Sequence, residues 1–166
     1  MKHLQETLQE LAALPNDRPM GMPGAFYTSQ EYYEHETRTV LRTGWHCLGR
    51  EDEIPNTGDY FTAQLLNEPL LIVRGDDGNV RVLANVCRHR GMPLAEGRGN
   101  ANRFVCSYHA WTYGHDGTLL RAPRMQNAGF DAKNCRLPEH KSQLWNGFIY
   151  VTLDADEPNF EHPELD

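Results

Sequence analysis

The chain has 166 residues, 39% hydrophobic and 23% charged, which suits one globular domain with a modest core and an added arm. No apolar run reaches the ~18 residues of a membrane span, and Met1–Leu14 lacks the continuous apolar stretch of a secretory signal. The reading is therefore cytoplasmic, with neither membrane nor nucleic acid as a partner. The net charge of −7 is uneven: residues 81–124 hold seven arginines and two acids, Glu96 and Asp116, so that stretch is +5 and the rest is −12.

In chain order, Leu4, Leu8, Leu11 and Ala12 recur at helical spacing, so His3–Leu14 is expected to form a short amphipathic helix. Pro15, Pro19 and Pro23 then impose a loop. Thr28 and Glu31 form a capping-box pair, and a helix is expected over Ser29–Arg42, stopped by Gly44. Beyond Gly44 the texture changes to short apolar or alternating runs. These are Trp45–Leu48, Tyr60–Leu65, Leu70–Arg74, Val80–Val86, Arg103–Cys106, Trp111–Tyr113, Thr118–Leu120 and Phe148–Leu153. Gly75-Asp-Asp-Gly78 and Gly114-His-Asp-Gly117 supply hairpin turns between them. The expected fold is mainly β, an antiparallel sandwich or barrel, with N-terminal helices. The expected domains are a helical arm over 1–43, a β domain over 44–154 and an acidic linker over 155–166.

The chemistry concentrates in two pairs. Cys87-x-His89 is followed, after sixteen residues, by Cys106-x-x-His109, and each pair ends an expected strand and opens a loop. Two loops that each present one thiol and one imidazole can make a four-ligand metal site. A Rieske-type 2Fe–2S centre takes two thiolates on one iron and two imidazoles on the other. Zinc also accepts two Cys and two His, but common zinc modules pair Cys-x2-4-Cys with His-x3-5-His, which Cys-x-His does not match. A zinc-stabilised module stays as the rival. Cys47 is expected to be a small buried hydrophobe, and Cys135 lies in a loop without a partner pattern. His46, His115 and His140 are expected in surface or turn roles, and His3, His35 and His162 in solvent.

Cys87-Arg-His-Arg-Gly-Met-Pro-Leu94 and Cys106-Ser-Tyr-His-Ala-Trp-Thr-Tyr113 resemble the two ligand loops of Rieske non-haem iron oxygenases. In particular they resemble the N-terminal part of the alpha subunit of aromatic-ring-hydroxylating dioxygenases. The resemblance extends through Phe26–Gly49, Gly58–Arg74 and Trp145–Leu153. It implies a β-sandwich with a cluster-binding subdomain, and a cofactor held by Cys87, His89, Cys106 and His109. Around it, Arg90, Gly91, Pro93, Trp111 and Tyr113 are expected to act from the second layer. Gly91 would let backbone amides face sulfur, Trp111 would limit water, and Tyr113 would either donate a hydroxyl or simply pack.

The resemblance further implies electron delivery by a ferredoxin or flavin reductase. The acceptor would be a mononuclear Fe(II) in a C-terminal oxygenase domain of a trimeric subunit. No two-His-one-carboxylate spacing follows His109, so this chain alone is not expected to turn over substrate. A free-standing Rieske ferredoxin is the second alternative, opposed by the helical arm. Respiratory-chain Rieske proteins carry an extra cysteine in each loop, and a Ser two residues after the second His. Here those positions are Met92, Tyr108 and Trp111. With fewer donors to sulfur, the expected midpoint potential is roughly −150 mV to zero. A value above about +200 mV would contradict it.

Overall fold

The computed structural model describes residues 2–15, 17, 20–125, 129–156 and 158–160. Pro19, His162 and most of the acidic 155–166 segment lie outside the described residues. The chain divides into two compact units, Met1–Gly44 and Trp45–Asp166.

The first unit holds α1 (Lys2–Ala12), α2 (Ala25–Thr28) and α3 (Gln30–Glu36). Ser29, rather than Thr28, caps α3: its hydroxyl accepts from the Tyr32 N–H at 3.2 Å. The reason is backbone geometry. Ser29 is extended, so its oxygen faces the first turn, whereas Thr28 still belongs to α2 and its hydroxyl donates to the Gly24 carbonyl. The helix expected over Ser29–Arg42 also changes character after Glu36. Thr37–Leu41 widens into a π-turn, with the Arg42 N–H on the Thr37 carbonyl. Here the Thr39 and Thr43 hydroxyls donate to the carbonyls of His35 and Thr39, both at 2.9 Å, in competition with the regular ladder.

The second unit holds β1 (Trp45–Arg50), β2 (Asp59–Leu65), β3 (Glu68–Arg74), β4 (Val80–Ala84), β5 (Arg98–Asn100), β6 (Phe104–Val105), β7 (Thr112–Tyr113), β8 (Leu119–Arg121), β9 (Glu139–His140), β10 (Ser142–Trp145) and β11 (Phe148–Thr152). The eight expected runs all contribute strands. β5, β9 and β10 were not expected, because none of them carries apolar alternation. All pairings are antiparallel, in sheets ordered β1-β11-β10, β5-β2-β3-β4-β9 and β6-β7-β8.

The central strand explains the layering. Leu70, Leu71, Ile72 and Val73 of β3 are all fully buried, because both faces of their sheet are covered. Leu70 and Ile72 join Ile54, Phe61 and Val82 against Ile149 and Val151 of β11, which makes the sandwich. Leu71 and Val73 face the other way. They join Leu83, Cys87, Phe104, Cys106, Trp111, Tyr113, Leu119 and Leu137 in a second core. The two cysteines of the sequence motif are thus part of a hydrophobic core. Cys47 is instead exposed: its neighbour Leu48 packs against the first core, and alternation along β1 turns Cys47 to the other face.

Candidate metal centre

β4 leads to Cys87 and β6 leads to Cys106, and the loops they open are built alike. The Cys87 N–H donates to the Met92 carbonyl at 2.8 Å, and the Gly91 N–H to the Cys87 carbonyl at 2.9 Å. The Cys106 N–H donates to the Trp111 carbonyl at 2.8 Å, and the Ala110 N–H to the Cys106 carbonyl at 2.9 Å. The fourth residue after each cysteine is left-handed: φ is 74° at Gly91 and 57° at Ala110. The Gly91 amide itself is thus used inside the turn.

Cys87 and Cys106 are each 2% exposed, and both are free thiols. The His89 and His109 rings meet edge to face with centroids 4.7 Å apart. The Nδ1 atom of each is buried without a hydrogen-bond partner. A buried polar atom left unpaired costs free energy, and a coordinated metal would remove that cost. Burial, reinforced by His89 and by the charges of Arg90 and Arg124, holds His109 below the ordinary imidazole value. A neutral imidazole with a free lone pair is the form that binds metal. Among the described residues, no three of His, Cys, Asp or Glu converge to hold a single ion. Two thiols and two imidazoles are the donor set a Rieske [2Fe–2S] centre takes, one pair on each iron.

The surroundings are mostly aromatic. Trp111, 3% exposed, stacks on His89 at 4.8 Å and 12°. Phe130 packs edge-on against Trp111, and Tyr108 tilts over His109 at 3.9 Å. Tyr113 is fully buried, and its hydroxyl makes polar contacts. Its hydroxyl accepts the Arg88 N–H at 3.0 Å and lies 3.5 Å from Cys87 Sγ, to which it can donate. Burial, then the hydrogen bond to Cys87, pushes the phenol well above its usual value, so the donor proton persists. Arg90, Gly91 and Pro93 are exposed on the first loop. A cleft of about 450 Å³ opens beside the two histidines, lined also by Tyr108, Ala110, Pro123, Arg124 and Met125.

Among the buried polar residues, Asn85 was not singled out in the sequence, and His115 was expected in a surface or turn role. Asn85 is 5% exposed and His115 is 3% exposed. His115 does sit in the β7–β8 turn, yet it is buried and not superficial. Its Nε2 lies 2.7 Å from the Ala101 carbonyl and its Nδ1 3.1 Å from Asp76, while Phe104 packs on its ring. No local pattern announces these contacts, since their partners are 14 and 39 residues away. Asn85 carried a weak signal, an amide next to the strand end that leads to the first ligand. Cys135 ends a short 3-10 turn, Ala132–Cys135, and packs against the same core.

Buried paired thiols, paired imidazoles and three small antiparallel sheets define an iron–sulfur electron-transfer domain. Residues 44–141 match the Rieske [2Fe-2S] domain family, and the chain belongs to it. It is similar to the carnitine monooxygenase oxygenase subunit of Escherichia coli, 36% identical over 84% of this chain and 38% of that protein. It is also similar to the biphenyl 2,3-dioxygenase subunit alpha of Rhodococcus jostii, 33% identical over 92% of this chain and 34% of that protein. Among solved structures, a quaternary ammonium Rieske monooxygenase in complex with L-carnitine superposes with a TM-score of 0.81 at 33% identity, over 88% of this chain and 44% of that one. Naphthalene 1,2-dioxygenase from Rhodococcus sp. bound to indole gives 0.86 at 28% identity, over 96% and 37%. The chain thus spans less than half the length of these relatives, and the matched part is their Rieske domain. No helix among the described residues is long and apolar enough to cross a membrane.

Proposed function

We propose that Cys87, His89, Cys106 and His109 hold a Rieske [2Fe–2S] cluster, and that this domain is the electron-transfer part of a ring-hydroxylating-type oxygenase alpha subunit. Such a cluster, when bound, supplies reversible one-electron transfer. The observation that carries the reading is the pair of buried, unpartnered Nδ1 atoms of His89 and His109 beside two buried thiols. In this reading the thiolates of Cys87 and Cys106 take one iron and the neutral imidazoles take the other. Tyr113 donates to the Cys87 sulfur, and Trp111 keeps water from His89. The His89–His109 side, open to the cleft, faces the electron acceptor. That acceptor is a mononuclear non-haem iron in a catalytic domain, as the oxygenase relatives suggest. A cytoplasmic setting agrees with the free thiols of Cys47 and Cys135.

The donor, a ferredoxin or flavin reductase, is proposed to dock through the arginines. Arg81, Arg98 and Arg103 are spent on Asp77, Glu53 and Asp76. Arg88, Arg90, Arg121 and Arg124 are exposed and have no ion pair among the described residues, which leaves positive charge around the ligand loops. An acidic partner is attracted there. The reduction rate is expected to fall as salt rises from about 0.05 to 0.5 M. A salt-independent rate would reject the docking.

The test of the whole reading is iron and sulfide analysis with EPR before and after dithionite. Two irons and two sulfides per chain, with a reduced signal averaging near g ~1.9, are expected. One zinc and no colour would leave a structural module instead. A cluster in a protein that reduces a separate oxygenase would point to the free-standing ferredoxin.

A further inference from the structure

The two ligand loops share a turn, but their necks are closed differently. The second loop, between Val105 and Thr112, is the tip of a hairpin. Phe104 pairs with Tyr113 and Val105 with Thr112 directly beneath the ligands. The first loop has no ladder at its neck. It leaves β4, which pairs with β3 and β9, and the chain next enters β5, which pairs with β2. The two ends of the first loop therefore belong to strands that never touch each other.

Asn85 stands where the missing ladder would be. Its backbone N–H donates to the Pro69 carbonyl of β3 at 2.8 Å, which fixes its main chain to the sheet. Its side chain reaches across the neck. Oδ1 accepts from the N–H groups of Leu94 at 3.0 Å and Ala95 at 3.1 Å, and Nδ2 donates to the Ala95 carbonyl at 2.8 Å. A carboxamide offers one acceptor with two lone pairs and a donor, the same functions as a peptide group. The side chain is buried, so these bonds are shielded from water. Between Asn85 and Leu94 lie Cys87 and His89.

We propose that Asn85 is the positioning residue of the first ligand loop: it closes the neck that strand pairing closes in the second loop, and so fixes Cys87 and His89 relative to Cys106 and His109. The proposal rests on the cluster reading given above. It predicts a graded response. Asn85→Leu keeps the branched shape, though with bulkier methyls, and removes all three bonds. Asn85→Asp keeps the two acceptor bonds, now to a charged oxygen, and replaces the donor to Ala95 with an oxygen that repels that carbonyl.

The test compares the cluster-bearing chain with Asn85→Leu, Asn85→Asp and a stability control, Val82→Ala, which trims the opposite core. Three readouts are needed: the width of the reduced EPR signal, the rate of iron release to a chelator, and amide exchange at Leu94 and Ala95. Asn85→Leu is expected to broaden the signal and release iron at least tenfold faster, with Asn85→Asp between it and wild type. Val82→Ala is expected to lower the unfolding midpoint without broadening the signal. Wild-type line width and release rate in Asn85→Leu would overturn the proposal, as would equal broadening in Val82→Ala. If Asn85→Leu does not fold, Asn85→Asp decides by the same criteria. A wild-type chain without iron and sulfide would fail the cluster reading itself. Faster exchange at Leu94 and Ala95 would then still support the clamp, and unchanged exchange would reject it.

Discussion

Tyr113 shows how much one side chain can do at this site. Its ring fills the core that surrounds both thiols, and its hydroxyl accepts the Arg88 N–H while lying 3.5 Å from Cys87 Sγ, to which it can donate. A hydrogen bond to the sulfur stabilises the more negative, reduced cluster and raises its potential. Tyr113→Phe keeps the ring and removes the donor. At about 1 kcal/mol for one hydrogen bond, the midpoint is expected to fall by roughly 40 mV for a one-electron couple. Redox titration of the two proteins measures this, and an unchanged midpoint would mean that Tyr113 does not donate to Cys87. Sequence alone left the hydroxyl contact and plain packing equally open. The choice depended on where the Arg88 amide points, which the Cys-x-His pattern does not encode.

At the scale of elements, the twin loops make a paired prediction. Gly91 and Ala110 occupy matching left-handed positions, but only glycine adopts that conformation without a Cβ penalty. No atom lies within 4 Å of a Cβ built on Gly91, so its substitution tests the backbone alone. Ala110→Gly is expected to stabilise the chain by about 1 kcal/mol, and Gly91→Ala to destabilise it by about the same amount. Urea unfolding midpoints check both, and a destabilised Ala110→Gly would contradict the shared turn. The strands themselves were legible wherever apolar residues alternate or run together, as in β2, β3, β4 and β11. β5, with three exposed residues, and β9, with two residues, are strands only because a partner edge is available. The π-turn at Thr37–Leu41 escaped for a related reason: threonine back-bonding competes within a pattern that still has helical spacing.

For the whole molecule, pH dependence follows from the surface carboxylates. Asp77 is held well below the usual carboxylate range, first by its hydrogen bond to Arg81. Asp59 is lowered by its bond to Asn100, and Glu53 by the backbone N–H of Arg50. Each binds protons more weakly folded than unfolded, so each adds stability at neutral pH that is lost as the folded groups protonate. The thermal midpoint is expected to decline gently below about pH 6.5, where unfolded His109 takes up a proton that the folded chain resists, and to fall more steeply below about pH 4, where unfolded carboxylates take up protons. The carboxylates are exposed, so the individual contributions are small and their sum sets the trend. Scanning calorimetry across pH reads the result, and a midpoint that rises on acidification would contradict it.

The sequence by itself determined the β-rich class and the family and nominated the four proposed ligands, because Cys87-x-His89 and Cys106-x-x-His109 are local patterns and strand periodicity is a local property. Only the tertiary structure decided that the cysteines belong to a core, that His115 is buried, that Cys47 is exposed, and that Asn85 spans the first loop. Each of these depends on which strands become neighbours. Strand pairing is non-local: the groups that satisfy a buried amide or imidazole are brought there by sheet topology and have no fixed distance along the chain.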